Sequence, residues 1–107
     1  MPDKQIFELH ASICKALGHA IRIEIIDLLQ AKELTFSDIL ERTGGLKSNL
    51  SQHLSVMVGN GILLQRREGQ KAFFRLSSRK VASACRLMRE VLMERLEKQS
   101  QLLLKKV

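Results

Sequence analysis

Glycines decide where this chain can turn. Its apolar residues keep a helical period through most of the sequence, and that period is cut at Gly18, Gly44-Gly45, Gly59-Asn60-Gly61 and Gly69. Before the first cut, Ile6, Leu9, Ile13 and Leu17 predict a helix from about Lys4 to Leu17. After it, "HAIRIEIIDLLQAK" places Ile21, Ile25, Leu28 and Leu29 on one face of a second helix. Thr35 is a good N-cap for a short third helix, "FSDILERT", with Asp38 three residues on as an imperfect capping box. A fourth helix lies between Gly45 and Gly59 and buries Leu50, Leu54, Met57 and Val58. "ILLQRREGQKAFFRL" reads as two strands around a turn at Glu68-Gly69-Gln70. From about Ser78 to Leu104 the helical period returns, with Val81, Cys85, Met88, Leu92, Leu96 and Leu103 on one stripe. That stripe is longer than a small domain can usually cover.

The order α-α-α-α-β-β-α, mainly α with a β-hairpin (α+β), is that of a winged helix-turn-helix. The fourth helix carries an unusual outer face. Ser48, Gln52 and Ser55 point away from its apolar stripe, with Asn49 and Ser51 to either side and no acid among them. Such groups donate and accept hydrogen bonds to base edges, and Gln pairs bidentately with adenine. The charge supports the same reading. Between Arg42 and Lys80 stand eight basic residues and one acid, Glu68, while the flanks balance at ten of each. A net +7 concentrated in the middle third is the footprint of a polyanion partner. Arg66, Arg67, Lys71 and Arg75 on the hairpin are expected to hold phosphates, which fix register without reading sequence.

From Ala16 to Leu76 the chain resembles the ArsR/SmtB family of small dimeric bacterial repressors. The residues carrying the likeness are "ALGHAIRIEIIDLL", "ELTFSDIL", "KSNLSQHLSVMVGNGIL" and "RREGQKAFFRL". The resemblance implies a homodimer through the first and last helices, residues 1–17 and 78–104, bound to a two-fold symmetric double-stranded DNA operator. It places a helix-turn-helix at 35–58 and a wing at 62–76, within one domain spanning 1–107. Lys47, Ser48, Ser51 and Gln52 take the base-reading positions, and the wing around Gln70 and Lys71 reaches an adjacent groove.

The departures matter as well. Thr35-Phe36-Ser37 stands where many members carry Cys-Val-Cys, and "SSRKVASACRLMREVLMERLEK" contains neither Asp nor His. Neither of the family's common metal sites is therefore expected, and no cofactor is implied. Leu46 holds the N-cap of the fourth helix where Ser is frequent, at a cost of about 1 kcal/mol.

Cys14 and Cys85 remain as candidate sensor thiols, with three readings open. They are packing residues of two apolar helix faces, as free Cys often is. They form a thiol switch closed by oxidation or persulfidation, with Lys15, Arg86 and Arg89 available to lower a thiol pKa. Or they share a thiophilic metal or metalloid with His10, four residues before Cys14. For Arg22, a phosphate contact and a structural ion pair are both open. His53 reads as a packing or orienting residue, and Met57, Met88 and Met93 as core fillers.

The rival function is a protein-interaction module on the same scaffold, against which the concentrated charge argues. No catalytic constellation is recognisable, so no enzyme is expected. "MPDKQIFELH" is no signal peptide, and no apolar run reaches the roughly 20 residues needed to span a bilayer. The expectation is a cytoplasmic protein with reduced thiols and no membrane partner.

Overall fold

The computed structural model describes residues 3–105. Its elements run α1 (Asp3–Ala16), α2 (Ala20–Leu28), β1 (Leu34–Thr35), α3 (Phe36–Thr43), α4 (Lys47–Gly59), β2 (Leu63–Glu68), β3 (Lys71–Leu76) and α5 (Arg79–Lys105). The sequence pattern finds all five helices and the hairpin. It misses β1, which pairs Leu34 with Phe74 and Thr35 with Phe73 and makes the hairpin a three-stranded antiparallel sheet in the order β1-β3-β2. Two residues are too few to display an alternating pattern, so this strand exists only through its partner.

Local chemistry sets the boundaries. At α3 the Thr35 hydroxyl accepts from the Asp38 amide at 3.1 Å and the Asp38 carboxylate accepts from the Thr35 amide at 3.3 Å, completing the box. Asp38 is held below the usual carboxylate range by these two bonds to Thr35. Gly44 and Gly45 follow at φ +72° and +92°, a left-handed path that Cβ-bearing residues rarely adopt. They turn the chain sharply from α3 into α4.

The end of α4 is built differently. Ile62 N–H bonds to the Met57 carbonyl at 2.9 Å and Gly61 N–H to that of Val58 at 3.0 Å, with Gly61 at φ +73°. This is a Schellman motif, whose apolar contact is supplied by Ile62 and Met57, both in the core. The chain passes from α4 into β2 with almost no free residues.

The core lies where α2, α3, α4 and the sheet meet. Ile25, Ile26, Leu29, Ile39, Leu54, Met57 and Leu63 are fully buried, joined by Leu50, Ile62 and Phe74. The two long flanking helices contribute little. Only Ala16 of α1 is buried, and no residue of α5. The radius of gyration is 17.0 Å, against about 13 Å for a compact chain of this length. Ile6, Phe7, Leu9 and Ile13 on α1, and Met88, Leu92 and Leu96 on α5, are exposed, and clustered apolar exposure of this kind marks an interaction surface. No helix among the described residues is long and apolar enough to cross a membrane.

Ile39 is the single buried anchor of α3. Ile39→Ala should cost about 2–5 kcal/mol, the range for deleting a large apolar core side chain. A lower urea midpoint with an unchanged slope is the expected readout.

Candidate nucleic-acid interface

Packing on one side of α4 determines what its other side can present. Leu50, Leu54 and Met57 are buried, and Val58 is half-buried. Lys47, Ser48, Asn49, Ser51, Gln52 and Ser55 are all exposed, and among the described residues none of their side chains makes a hydrogen bond or ion pair. Leu46 stands at the N-cap without a side-chain bond, so the first-turn amides of α4 also lack a side-chain partner. The face is thus a row of small uncommitted donors and acceptors, and its helix N-terminus is open to an anion.

Arg22 makes two contacts that tie that face to the rest of the fold, one of them to His53, which the sequence reads as a packing or orienting residue. Arg22 of α2 is 8% exposed. Its Nε donates to His53 Nδ1 at 3.0 Å, and one terminal nitrogen donates to the Ala16 carbonyl at 3.1 Å. One guanidinium therefore links the end of α1 to the middle of α4. Among the described residues it forms no ion pair. To accept this bond His53 must be neutral, with its proton on Nε2. Burial, then the charges of Arg22 and His19, push its pKa below the ordinary value. The rings of His19 and His53 meet edge-on, with centroids 5.7 Å apart.

On the hairpin, Glu68 pairs with Lys71 and leaves the two-residue turn Gly69-Gln70. Arg67, Gln70 and Lys71 are exposed at this tip and form no ion pair among the described residues. Arg66 has a different fate from the one its sequence suggests. Its Nε and a terminal nitrogen grip the Glu33 carboxylate at 2.9 and 2.6 Å, and the other terminal nitrogen reaches Glu68 at 3.0 Å. The guanidinium also lies 4.2 Å from the centre of the Phe73 ring. Hydrogen bonds from Arg66 hold Glu33 below the usual carboxylate range, and the same bonds raise Arg66 further. The expected phosphate ligand is occupied within its own chain, bracing the β1 edge to β2.

The candidate thiols lie on the two flanking helices. Cys14 is exposed on α1, Cys85 is half-buried on α5, and both are free. Burial pushes the Cys85 thiol up, against a weaker pull downward from Arg89. Among the described residues of one chain, no group of three His, Cys, Asp or Glu side chains is placed to hold a metal, so His10, Cys14 and Cys85 do not assemble as one.

Comparison with known proteins agrees with this architecture. The sequence model of the bacterial regulatory protein, arsR family, matches residues 19–63, from the start of α2 to the start of β2. The HTH-type transcriptional regulator Rv0081 of Mycobacterium tuberculosis is 31% identical over 93 residues, covering 86% of this chain and 82% of the relative. Its crystal structure superposes with a TM-score of 0.80 at 29% identity, over 89% of this chain and 96% of that one. The solution structure of the homodimeric winged helix-turn-helix DNA-binding domain of Mb0332 from Mycobacterium bovis gives 0.79 at 29% identity, over 92% and 93%. The arsenical resistance operon repressor of Staphylococcus aureus is 34% identical over 67 residues, 63% of this chain and 64% of the repressor. The chain belongs to the arsR family of bacterial regulatory proteins, built as a winged helix-turn-helix.

The neutral His53 has a consequence for stability. An unfolded histidine titrates near pH 6.5, and the folded one below that. Between the two values the unfolded chain binds more protons, so stability falls as pH drops below about 6.5. Replacing His53 with Gln, which retains an acceptor, should flatten this loss as pH falls through about 6.5 in urea unfolding. An equally steep loss in His53→Gln would assign it to other groups. Asp38 and Glu33 act only at lower pH, below about 4.5.

Proposed function

We propose that the protein is a homodimeric, sequence-specific DNA-binding transcriptional repressor. The observation carrying this reading is the exposed face of α4, whose Ser48, Asn49, Ser51, Gln52 and Ser55 are unpartnered within the chain while Leu50, Leu54 and Met57 anchor the helix. Base edges in a major groove supply the complementary donors and acceptors. Lys47 joins the base-reading set, and the open amides of the first turn of α4, with Arg67, Gln70 and Lys71 at the wing tip, contact the phosphates alongside. Arg66 leaves this set and serves as the brace of the wing.

The dimer reading rests on the uncovered apolar faces of α1 and α5, and on the homodimeric state of the M. bovis domain. A two-fold dimer of winged heads fits an operator with matching symmetry, its half-sites one or more helical turns apart. The repressing sign is taken from the S. aureus relative, itself an operon repressor. Thiol-controlled release has little local support, because a raised pKa lowers the thiolate fraction on which oxidation of Cys85 depends.

The test is a gel-shift series on the chain's own promoter region against random duplex. Gln52→Ala should bring operator affinity towards the random value, a loss of about 1–3 kcal/mol of discrimination. Lys71→Ala should weaken both duplexes alike and reduce the salt slope by about one. Equal weakening of both duplexes by Gln52→Ala would make that residue a backbone contact. Failure of the unmodified protein to prefer any promoter segment would favour the interaction-module reading.

Leu92→Glu probes the dimer separately. Sedimentation should show monomers at concentrations where the parent is dimeric, with operator affinity lost and helical content preserved. A dimer that survives this change would move the interface off the central part of α5.

A further inference from the structure

A second cationic feature lies away from the proposed DNA face. A cleft of about 560 Å³ opens between the α2–β1 loop, the end of β3 and the first two turns of α5. That volume falls within the range of small-molecule sites, about 300–1,000 Å³. Lys32, Arg75, Arg79 and Arg86 line it from three elements, and Leu76 and Ala82 supply apolar wall. Among the described residues none of the four cations forms an ion pair. The one acid on the cleft, Glu33, has its carboxylate held by Arg66. Arg86 also donates to Ser83 at 3.3 Å and Arg75 feels the Glu33 charge, yet four cations converging on one concavity favour an anionic occupant there.

Within the hairpin this charge lies away from the wing tip. Arg75 stands four residues along β3 from Lys71, roughly 14 Å from the wing tip at the usual rise of an antiparallel strand. Three of the four cations are arginines, whose planar forks match carboxylate and phosphate oxygens bidentately.

We propose that the cleft is a binding site for a small organic anion bearing two or more phosphate or carboxylate groups. Its charged groups pair with Arg75, Arg79, Arg86 and Lys32, and its body rests on Leu76 and Ala82. The site goes beyond the repressor reading and does not depend on it, because its occupancy is measurable on the protein alone.

Calorimetric titration at constant ionic strength tests it, with pyrophosphate as the phosphate probe, citrate as the carboxylate probe and chloride as the control. Saturable binding of pyrophosphate, citrate or both is expected, and which probe binds tighter identifies the chemistry. The double variant Arg79→Gln/Arg86→Gln, and separately Lys32→Gln from the opposite wall, should each weaken binding roughly tenfold or more, as expected for loss of charge-assisted hydrogen bonds. Thermal unfolding without the anion should match the parent, and operator affinity should stay within about twofold. Three results would overturn the proposal. One is the absence of saturable binding by either probe. Another is binding that ignores both variants. The third is a loss of DNA affinity in the double variant as large as that of Lys71→Ala, which would give these cations to the DNA backbone.

Discussion

Everything the protein presents on its outer side depends on how α4 is held from within. Leu50, Leu54 and Met57 pack against the helices and sheet beneath, and the helix has no other apolar anchor of comparable burial. A helix bearing Ser, Asn and Gln on its outer face gains little from solvent-side pairs, so tertiary burial must supply its stability. Arg22 adds a directional tie to the packing. Apolar side chains tolerate rotation about the helix axis better than a hydrogen bond with one donor and one acceptor does. The 3.0 Å bond to His53 therefore fixes which way the neutral face points.

Arginine is used in three ways, and charge counting treats all three alike. Arg22 is buried and bonds to a neutral ring and a carbonyl. Arg66 is exposed yet saturated by two carboxylates and an aromatic ring. Arg67 and Arg75 are exposed and unpaired among the described residues. Only the last kind is available to an external anion. The formal excess between Arg42 and Lys80 thus overstates what the hairpin offers to DNA, and part of it belongs to the cleft beside α5.

The helices, the hairpin and the outer face of α4 were legible because each is encoded in neighbouring residues: period, glycine breaks, and the Thr35 and Asp38 pair. What escaped is encoded across distance. Arg22 and His53 are 31 residues apart, and Arg66 and Glu33 are 33 apart. No local pattern marks either pair. The strand β1 escaped because its two residues acquire their conformation from β3. For Cys85, arginines close in sequence suggested a lowered thiol pKa, but burial outweighed them. Burial is a property of the assembled core, which nearby residues do not reveal.

The turn at Gly61-Ile62 carries a mechanical consequence. Two backbone bonds and a buried Met57–Ile62 contact leave no joint between α4 and β2, so helix and wing move as one body. In the proposed complex, the seating of the base of the wing would follow that of the helix. Any signal that loosens such a head must change where the whole unit sits relative to its twin. In the proposed dimer, control would then fall to the long, sparsely packed α1 and α5.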